Sequence, residues 1–384
     1  MTSPLIDTPA ALAGFCESLQ GVPWIALDSE FVRERTYHAR LCLLQVASET
    51  GLACIDTLAL PELGLLAEQL FQPGVVKVMH AAQQDLEIFQ RLWERLPEPL
   101  FDTQIAAALL GQGEQIGYAA LVKALLGVEL DKSQTRTDWS RRPLSAAQLE
   151  YAAADVRYLG PLYRLQHQAL AQSQRLEWLW AETAPLTAAG NAPTAEPWRR
   201  VKGHRNLHGV QLAVLQVLAG WREQQAEARD LPRQWVINDD TLSTLARRLP
   251  RNPEQLQRLG LDQRLLRRDG AALLALIRQA RELPAEQWPV LPAWPALNDQ
   301  QQALLERAQT LIRDCAQRYG LAAPLLATRR ELETWLHGAE IPASGGWRAT
   351  LVGEALQQLR EQVPETETVI AVSPDNDPMS PPCN

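Results

Sequence analysis

The segment from Trp24 to Tyr37, WIALDSEFVRERTY, places two carboxylates one residue apart, Asp28 and Glu30, inside an apolar run that reads as a buried strand. Successive strand side chains alternate between faces, so residues i and i+2 project to the same side. Both acids therefore share one face. Like charges held together repel, and burying them without a partner is strongly unfavourable. A chain with this segment must offset that cost. It can leave an acidic face in water at a sheet edge, or it can hold a divalent cation between the two groups.

The surrounding pattern favours a sheet. WIALDSEF, RLCLLQVAS, GLACIDT and VVKVMH are short apolar runs bounded by glycine, proline or charge, and read as strands. AAQQDLEIFQRLWERL, FDTQIAAALLG, YAALVKALLG and SAAQLEYAAADVRYLGPLYRLQHQALAQ read as helices. Three consecutive strands, then a strand leading into helices, predict an α/β domain over 1–180 with a mixed sheet flanked by helices. A stretch rich in Pro, Ala and Thr follows, and 181–205 is expected to be a linker that ends in a basic cluster.

Beyond it the pattern is nearly all helical, and it repeats. At an offset of about 90 residues, Leu231 aligns with Leu321, Leu242 with Leu332, Leu245 with Trp335 and Gln211 with Gln301. Two all-α domains are expected, over 206–290 and 298–362, followed by a disordered acidic tail over 363–384.

Composition narrows the function. The 384 residues give room for about two or three domains. No apolar run approaches the roughly 20 residues that span a bilayer, so no membrane partner is expected. The N-terminal stretch has no basic start and carries Asp7 and Glu17 within its apolar pattern. A secretory signal is therefore not expected, and the predicted location is cytoplasmic. Five scattered cysteines without a C-x-x-C pair argue against a disulfide framework and against zinc. The net charge of -8 argues against nonspecific coating of nucleic acid, although WRRVKGHR, residues 198–205, is a local basic cluster. No G-x-x-x-x-G-K phosphate loop occurs, so the chain is not read as a helicase. No obligate protein partner is inferred.

Two further motifs complete the acidic set. Asp85, in HAAQQDLEIF, follows the strand VVKVMH and opens a helix, a position where the helix dipole alone favours a carboxylate. Tyr151 and Asp155, in LEYAAADVRYL, lie four apart on a helix and face one way. The order is D-x-E on a first strand, an acid opening a helix after a fourth, and Y-x-x-x-D on a late helix. Together with FDTQIAAALLG, TRTDWSRRPLSAAQLEYAAADVRYLGPLY and a helical module beginning near His208, this order resembles the ribonuclease D family. That family belongs to the DEDDy exonucleases, labelled for four acids and a tyrosine, and carries helicase and RNase D C-terminal (HRDC) domains. Ser29 stands where Thr is common, and Gln84 precedes Asp85 where an acid is usual. The second helical domain fits the HRDC pattern only loosely.

The resemblance implies an RNase H-like (DnaQ-like) mixed-sheet nuclease domain followed by two HRDC-type helical domains. It implies a metal-dependent 3′-5′ exoribonuclease that releases nucleoside 5′-monophosphates from RNA with a free 3′-hydroxyl, with precursors of tRNA and other small structured RNAs as substrates. Cleaving a phosphodiester needs a nucleophile, relief of phosphate charge and stabilisation of the leaving oxygen. Two divalent cations about 4 Å apart supply all three, and hard oxygen ligands suit Mg²⁺ or Mn²⁺. By resemblance, Asp28 bridges both ions, Glu30 and Asp155 complete the first, and Asp85 holds the second mainly through water. Tyr151 orients the attacking water, since a phenol with a reference pKa of about 10 is a poor base at neutral pH.

Phe31 is a candidate for stacking on the terminal base if the strand bends after Glu30, with core packing as the alternative. Arg141 and Arg142 are candidate phosphate contacts or solvated surface. Arg199, Arg200, Lys202 and Arg205 are candidates to catch RNA, or a solvated charge run. His80 and Asp102 have structural readings, the latter as a helix N-cap. Two rival functions stand beside this one: a DNA 3′-5′ exonuclease, which the motifs alone do not separate from an RNA enzyme, and a noncatalytic nucleic-acid-binding scaffold.

Overall fold

Residues 4–131, 133–134, 137–188, 196–291 and 296–361 are described by the computed structural model. In the N-terminal region β1 (Leu5–Ile6) and α1 (Pro9–Ser18) precede three strands, β2 (Trp24–Val32), β3 (Arg40–Ala47) and β4 (Leu52–Ile55). These are followed by α2 (Gly64–Leu70), β5 (Val76–Met79), α3 (Gln83–Trp93), β6 (Leu100–Asp102) and α4 (Thr103–Leu109). Then come α5 (Tyr118–Leu126), α6 (Ala146–Arg157), α7 (Leu159–Gln172) and α8 (Leu176–Thr187). The sheet order is β1-β4-β3-β2-β5-β6, with antiparallel β4-β3-β2 and parallel pairs elsewhere, so the sheet is mixed as expected.

Alternation along β2 sends Ile25 and Leu27 into a core shared with Leu12 of α1, Leu66 and Leu70 of α2, and Leu86 and Phe89 of α3. The opposite face of the sheet lies under α6, where Leu43, Cys54, Trp139, Ala152 and Ala153 form a second cluster. Alanine here lets the helix approach the strands closely. At the start of α7 the approach is closer still: a Cβ on Gly160 would sit 2.3 Å from the Trp24 ring.

The structure adds two strands to the sequence reading and breaks one helix. The first strand spans only two residues, too few to show a period. In FDTQIAAALLG the strand ends and α4 begins on the same residue, because the Asp102 carboxylate accepts from the Gln104 N–H at 2.8 Å as a cap and from the Ala82 N–H at 2.9 Å across the sheet end. The helix expected to run on from Ser145 divides at Tyr158. Pro161 has no N–H to offer the Arg157 carbonyl, so an unbroken helix would lose a rung there.

The first helical body comprises α9 (Val210–Ala228), α10 (Arg233–Val236), α11 (Asp239–Arg248), α12 (Pro253–Gln257) and α13 (Gln263–Glu282). It corrects the linker reading. Helix α8 carries the chain to Thr187, and Trp198 is fully buried in the helical core beside Val201 and Leu207. A composition rich in Pro and Ala suggested a free segment, but one tryptophan brings enough apolar area to pin it. Residues 189–195 lie outside the described residues.

Tyr37, in the loop that leaves β2, packs into the same helical core. Its hydroxyl donates to Glu223 at 2.7 Å, its backbone N–H donates to Asp230 at 3.1 Å, and the Arg233 guanidinium lies 4.5 Å above its ring. The α/β region and the first helical body accordingly form one compact unit, Met1–Pro292.

The second unit begins at Ala293. It holds α14 (Asp299–Tyr319), α15 (Ala323–Leu326), α16 (Arg329–Leu336), α17 (Gly346–Arg348) and α18 (Glu354–Arg360), the last two joined by a π-helical turn over Ala349–Gly353. The internal repeat recurs element by element: α15 and α16 follow α14 as α10 and α11 follow α9. Leu242 and Leu332 are both buried, as are Leu245 and Trp335, and Asn238 and Thr328 cap the equivalent helices. Residues 363–384, expected to be an acidic tail, lie outside the described residues. Among the described residues no helix is long and apolar enough to cross a membrane.

Candidate active site

The central strand and α6 build the site between them. Asp28 and Glu30 leave the same face of β2, and Asp155 descends from the last turn of α6 onto that face. One carboxylate oxygen from each lies within 4.8 Å of the others, and among the described residues this is the one cluster of three or more potential metal ligands. Helix α6 is set in place by a capping box at its start, in which the Ser145 hydroxyl accepts from the Gln148 N–H and the Gln148 side chain accepts from the Ser145 N–H. Asp85, in the first turn of α3, stands outside that three-way cluster. It is held by Ser29, whose hydroxyl donates to its carboxylate from the neighbouring strand. The residue between the two acids of the D-x-E motif therefore orients a third.

Each acid lies deep enough that loss of hydration dominates its proton affinity. Burial, with repulsion from Asp155 and Asp85, lifts Glu30 to about 8. Burial lifts Asp155 to about 7. Asp85 reaches about 6 through burial, opposed by the Ser29 hydrogen bond. Asp28 is pushed well above the ordinary carboxylate range by burial first, then by Asp85, Asp155 and Glu30. Four oxygen-donor acids crowded at this depth match the hard-ligand chemistry of Mg²⁺ or Mn²⁺.

The stability of the cation-free protein should reflect this crowding. Folded-state values above the unfolded ones mean that the folded protein binds more protons between about pH 4 and 8, so its stability falls as pH rises through that window. Thermal melts in chelator are expected to show a declining melting temperature from pH 6 to pH 8.5. Saturating Mn²⁺ should flatten the decline, because the cation takes the place of the protons. An unchanged slope with and without cation would contradict the assignment.

Tyr151 lies one helical turn before Asp155, and its ring packs 6.1 Å from that of Trp139. His80 pairs with the Thr103 hydroxyl at 2.9 Å and packs beside Tyr118, whose hydroxyl donates to the Ala154 carbonyl of α6 at 3.0 Å. Neither Tyr118 nor Ser29 carries a motif signal, since their roles depend on neighbours far away in sequence.

The pairing of β2 with β3 shifts between Glu30 and Phe31, so the strand pair is irregular where a bend was required. The additional residue falls on β3, at Cys42, and Phe31 packs against the core that α3 covers, on the face of β2 opposite Asp28 and Glu30.

Arg142 is corrected. Its guanidinium makes a two-pronged pair with Asp56, at 2.6 and 2.7 Å, and also donates to the carbonyls of Cys42, Trp139 and Arg141. Burial works against the charge on Asp56, yet the hydrogen bonds from Arg142 outweigh it and hold that carboxyl below its usual range. An arginine this committed ties the end of β4, the irregular part of β3 and the loop before α6, and it is not an open phosphate contact. Arg141 pairs with Asp138 on the surface. Arg199, Arg200, Lys202 and Arg205 are exposed on turns of the first helical body, with Arg199 paired to Glu196 and stacked 4.5 Å over Trp198.

Comparison with known proteins agrees with this geometry. The 3′-5′ exonuclease family matches residues 4–168, and the HRDC domain family matches residues 211–277. The chain is 37% identical to Ribonuclease D of Escherichia coli over 382 residues, covering 95% of this chain and all 100% of that protein. It is 40% identical to Ribonuclease D of Pseudomonas paraeruginosa, covering 91% and 96% of the two chains. Among solved structures, E. coli RNase D, described as an exoribonuclease involved in structured RNA processing, superposes with a TM-score of 0.84 at 36% identity, covering 95% of this chain and 100% of that one. The catalytic core of RRP6 from Trypanosoma brucei gives a TM-score of 0.57 at 26% identity, over 73% of this chain and 80% of that one. With a shared fold and relatives matched over nearly their whole length, the chain belongs to the ribonuclease D family.

Proposed function

We propose that this chain is a metal-dependent 3′-5′ exoribonuclease, acting in the cytoplasm on RNA with a free 3′-hydroxyl and releasing nucleoside 5′-monophosphates. The observation that carries the reading is the convergence of Asp28, Glu30 and Asp155 within 4.8 Å, with Asp85 beside them. A pair of bound Mg²⁺ or Mn²⁺ ions would supply charge relief on the scissile phosphate and favour ionisation of the attacking water. The chain's own part is to hold those ions and to orient what reacts. Asp28, Glu30 and Asp155 would hold the ions, with Asp28 as the shared ligand, and Asp85, steadied by Ser29, would complete the set. Tyr151, on the same helical face as Asp155, would orient the attacking water through its hydroxyl, because a phenol holds its proton at neutral pH.

The α/β body performs the chemistry, and the first helical body, whose core begins at Trp198, holds the substrate. Arg199, Arg200, Lys202 and Arg205 would meet its phosphates, while Phe31 takes the core-packing alternative. Precursors of tRNA are the substrates this reading favours, since the E. coli relative is described as acting in structured RNA processing. The DNA exonuclease reading is secondary. The HRDC match at 211–277 accompanies the nuclease fold here as part of the whole-length likeness to ribonuclease D relatives.

Product analysis tests the proposal. A 5′-labelled RNA with a free 3′-hydroxyl is expected to shorten one nucleotide at a time in Mn²⁺ or Mg²⁺ and to remain intact in chelator, while matching single-stranded DNA is shortened weakly. Binding of RNA without shortening in any cation would support the scaffold alternative. Equal or faster shortening of DNA would support the DNA enzyme.

A further inference from the structure

Gln45 is fully buried on β3, and neither its Nε2 nor its Oε1 has a hydrogen-bond partner among the described residues. Buried amides in folded proteins are nearly always paired, and an orphaned one is costly enough to call for a reason. Its place in the sheet supplies one. Gln45 stands directly opposite Asp28 of β2 on one side and opposite Cys54 of β4 on the other. Cross-strand partners in an antiparallel pair project to the same face, with Cβ atoms about 5 Å apart. The three side chains therefore form a row under α6.

The cluster around this row is mostly apolar. Cys54 turns its thiol toward the Leu149 carbonyl of α6. Ala152 and Ala153 close the cluster from above, and Leu43 lies two residues along the same strand. The polar group adjacent in the row is the Asp28 carboxylate. A carboxylate only accepts hydrogen bonds, so the end of the amide that suits it is Nε2.

We propose that Gln45 is a positioning residue of the carboxylate site, its Nε2 donating to Asp28 when that carboxylate holds a cation. The inference rests on the functional reading above. Partners that orient a metal-ligating carboxylate typically change metal affinity by about 10- to 100-fold when removed. An amide that serves only Asp28 also contributes nothing to the fold of the cation-free protein.

The two properties give opposite signatures in one experiment. Gln45→Met replaces the amide by an apolar side chain of nearly the same length. Isothermal titration of the full chain with Mn²⁺ is expected to show binding at least about 10-fold weaker than in the wild type. Its melting temperature in chelator should be equal or higher, because two unpartnered buried polar atoms are gone. Unchanged Mn²⁺ affinity overturns the proposal, as does a sharp loss of stability at unchanged affinity, which marks a purely structural amide. Gln45→Asn keeps the amide and shortens its reach: weaker Mn²⁺ binding supports the proposal, and wild-type binding overturns it. Wild type and Asp28→Ala separate the two levels of failure. If wild type itself binds no Mn²⁺ that Asp28→Ala loses, the site reading falls. If it does and Gln45→Met equals it, only the role of Gln45 falls.

Discussion

Replacing Asp28 by asparagine is expected to lower single-turnover RNA shortening by on the order of 10³-fold or more, while raising the melting temperature of the cation-free protein. The first effect follows from position. Asp28 is the acid on which Asp85, Asp155 and Glu30 all act, so it lies at the centre of the cluster. Losing the group suited to bridge two ions forfeits several kcal/mol of charge stabilisation, and about 1.4 kcal/mol is a factor of ten. The second effect has the opposite sign because asparagine keeps the shape and removes one of the crowded negative charges. Chelator melts and single-turnover assays on the same preparation check both. Loss of activity with loss of stability would mean that Asp28 holds the fold rather than the cations.

Arg142→Ala should strongly destabilise the nuclease body, by about 3 kcal/mol in denaturant unfolding. The Asp56 carboxylate is buried and loses both prongs of its partner, while the carbonyls of Cys42 and Trp139 lose their donor. Arg142→Lys is expected to recover little, since an ammonium cannot reproduce the planar fork. If either variant instead unfolds normally and binds RNA more weakly, the guanidinium is a phosphate contact after all and its pairing with Asp56 is incidental.

The candidate acids were legible in the chain because local rules place them singly or in pairs, and the resemblance to the ribonuclease D family joined them into one set. Period-two alternation places Asp28 with Glu30, a four-residue helical step places Tyr151 over Asp155, and Asp85 opens a helix. Local rules of this kind survive any tertiary arrangement. The same holds for the helical repeat, where Leu242 and Leu332 occupy equivalent turns and are equally buried.

Residues whose roles depend on distant partners were not legible. Ser29 reads as a filler between two acids until α3 brings Asp85 against its hydroxyl. Gln45 reads as one polar residue in a strand until strand register sets it opposite Asp28. Arg142 looked like a surface cation because its partners, Asp56 and the Cys42 carbonyl, are 86 and 100 residues away. Trp198 followed a stretch composed like a free linker and is buried in a helical core.

By itself, then, the sequence determined which residues share a face and where helices begin, and its resemblance to the ribonuclease D family implied that four acids and a tyrosine stand in an order suited to cations. Only the tertiary structure decided which acids converge, what holds each in place, and that Tyr37 fastens the loop after β2 to the first helical body. The division has one physical cause. Backbone periodicity is set by each residue and its near neighbours, whereas hydrogen-bond partners, desolvation and charge crowding depend on which distant segments the packed core brings together.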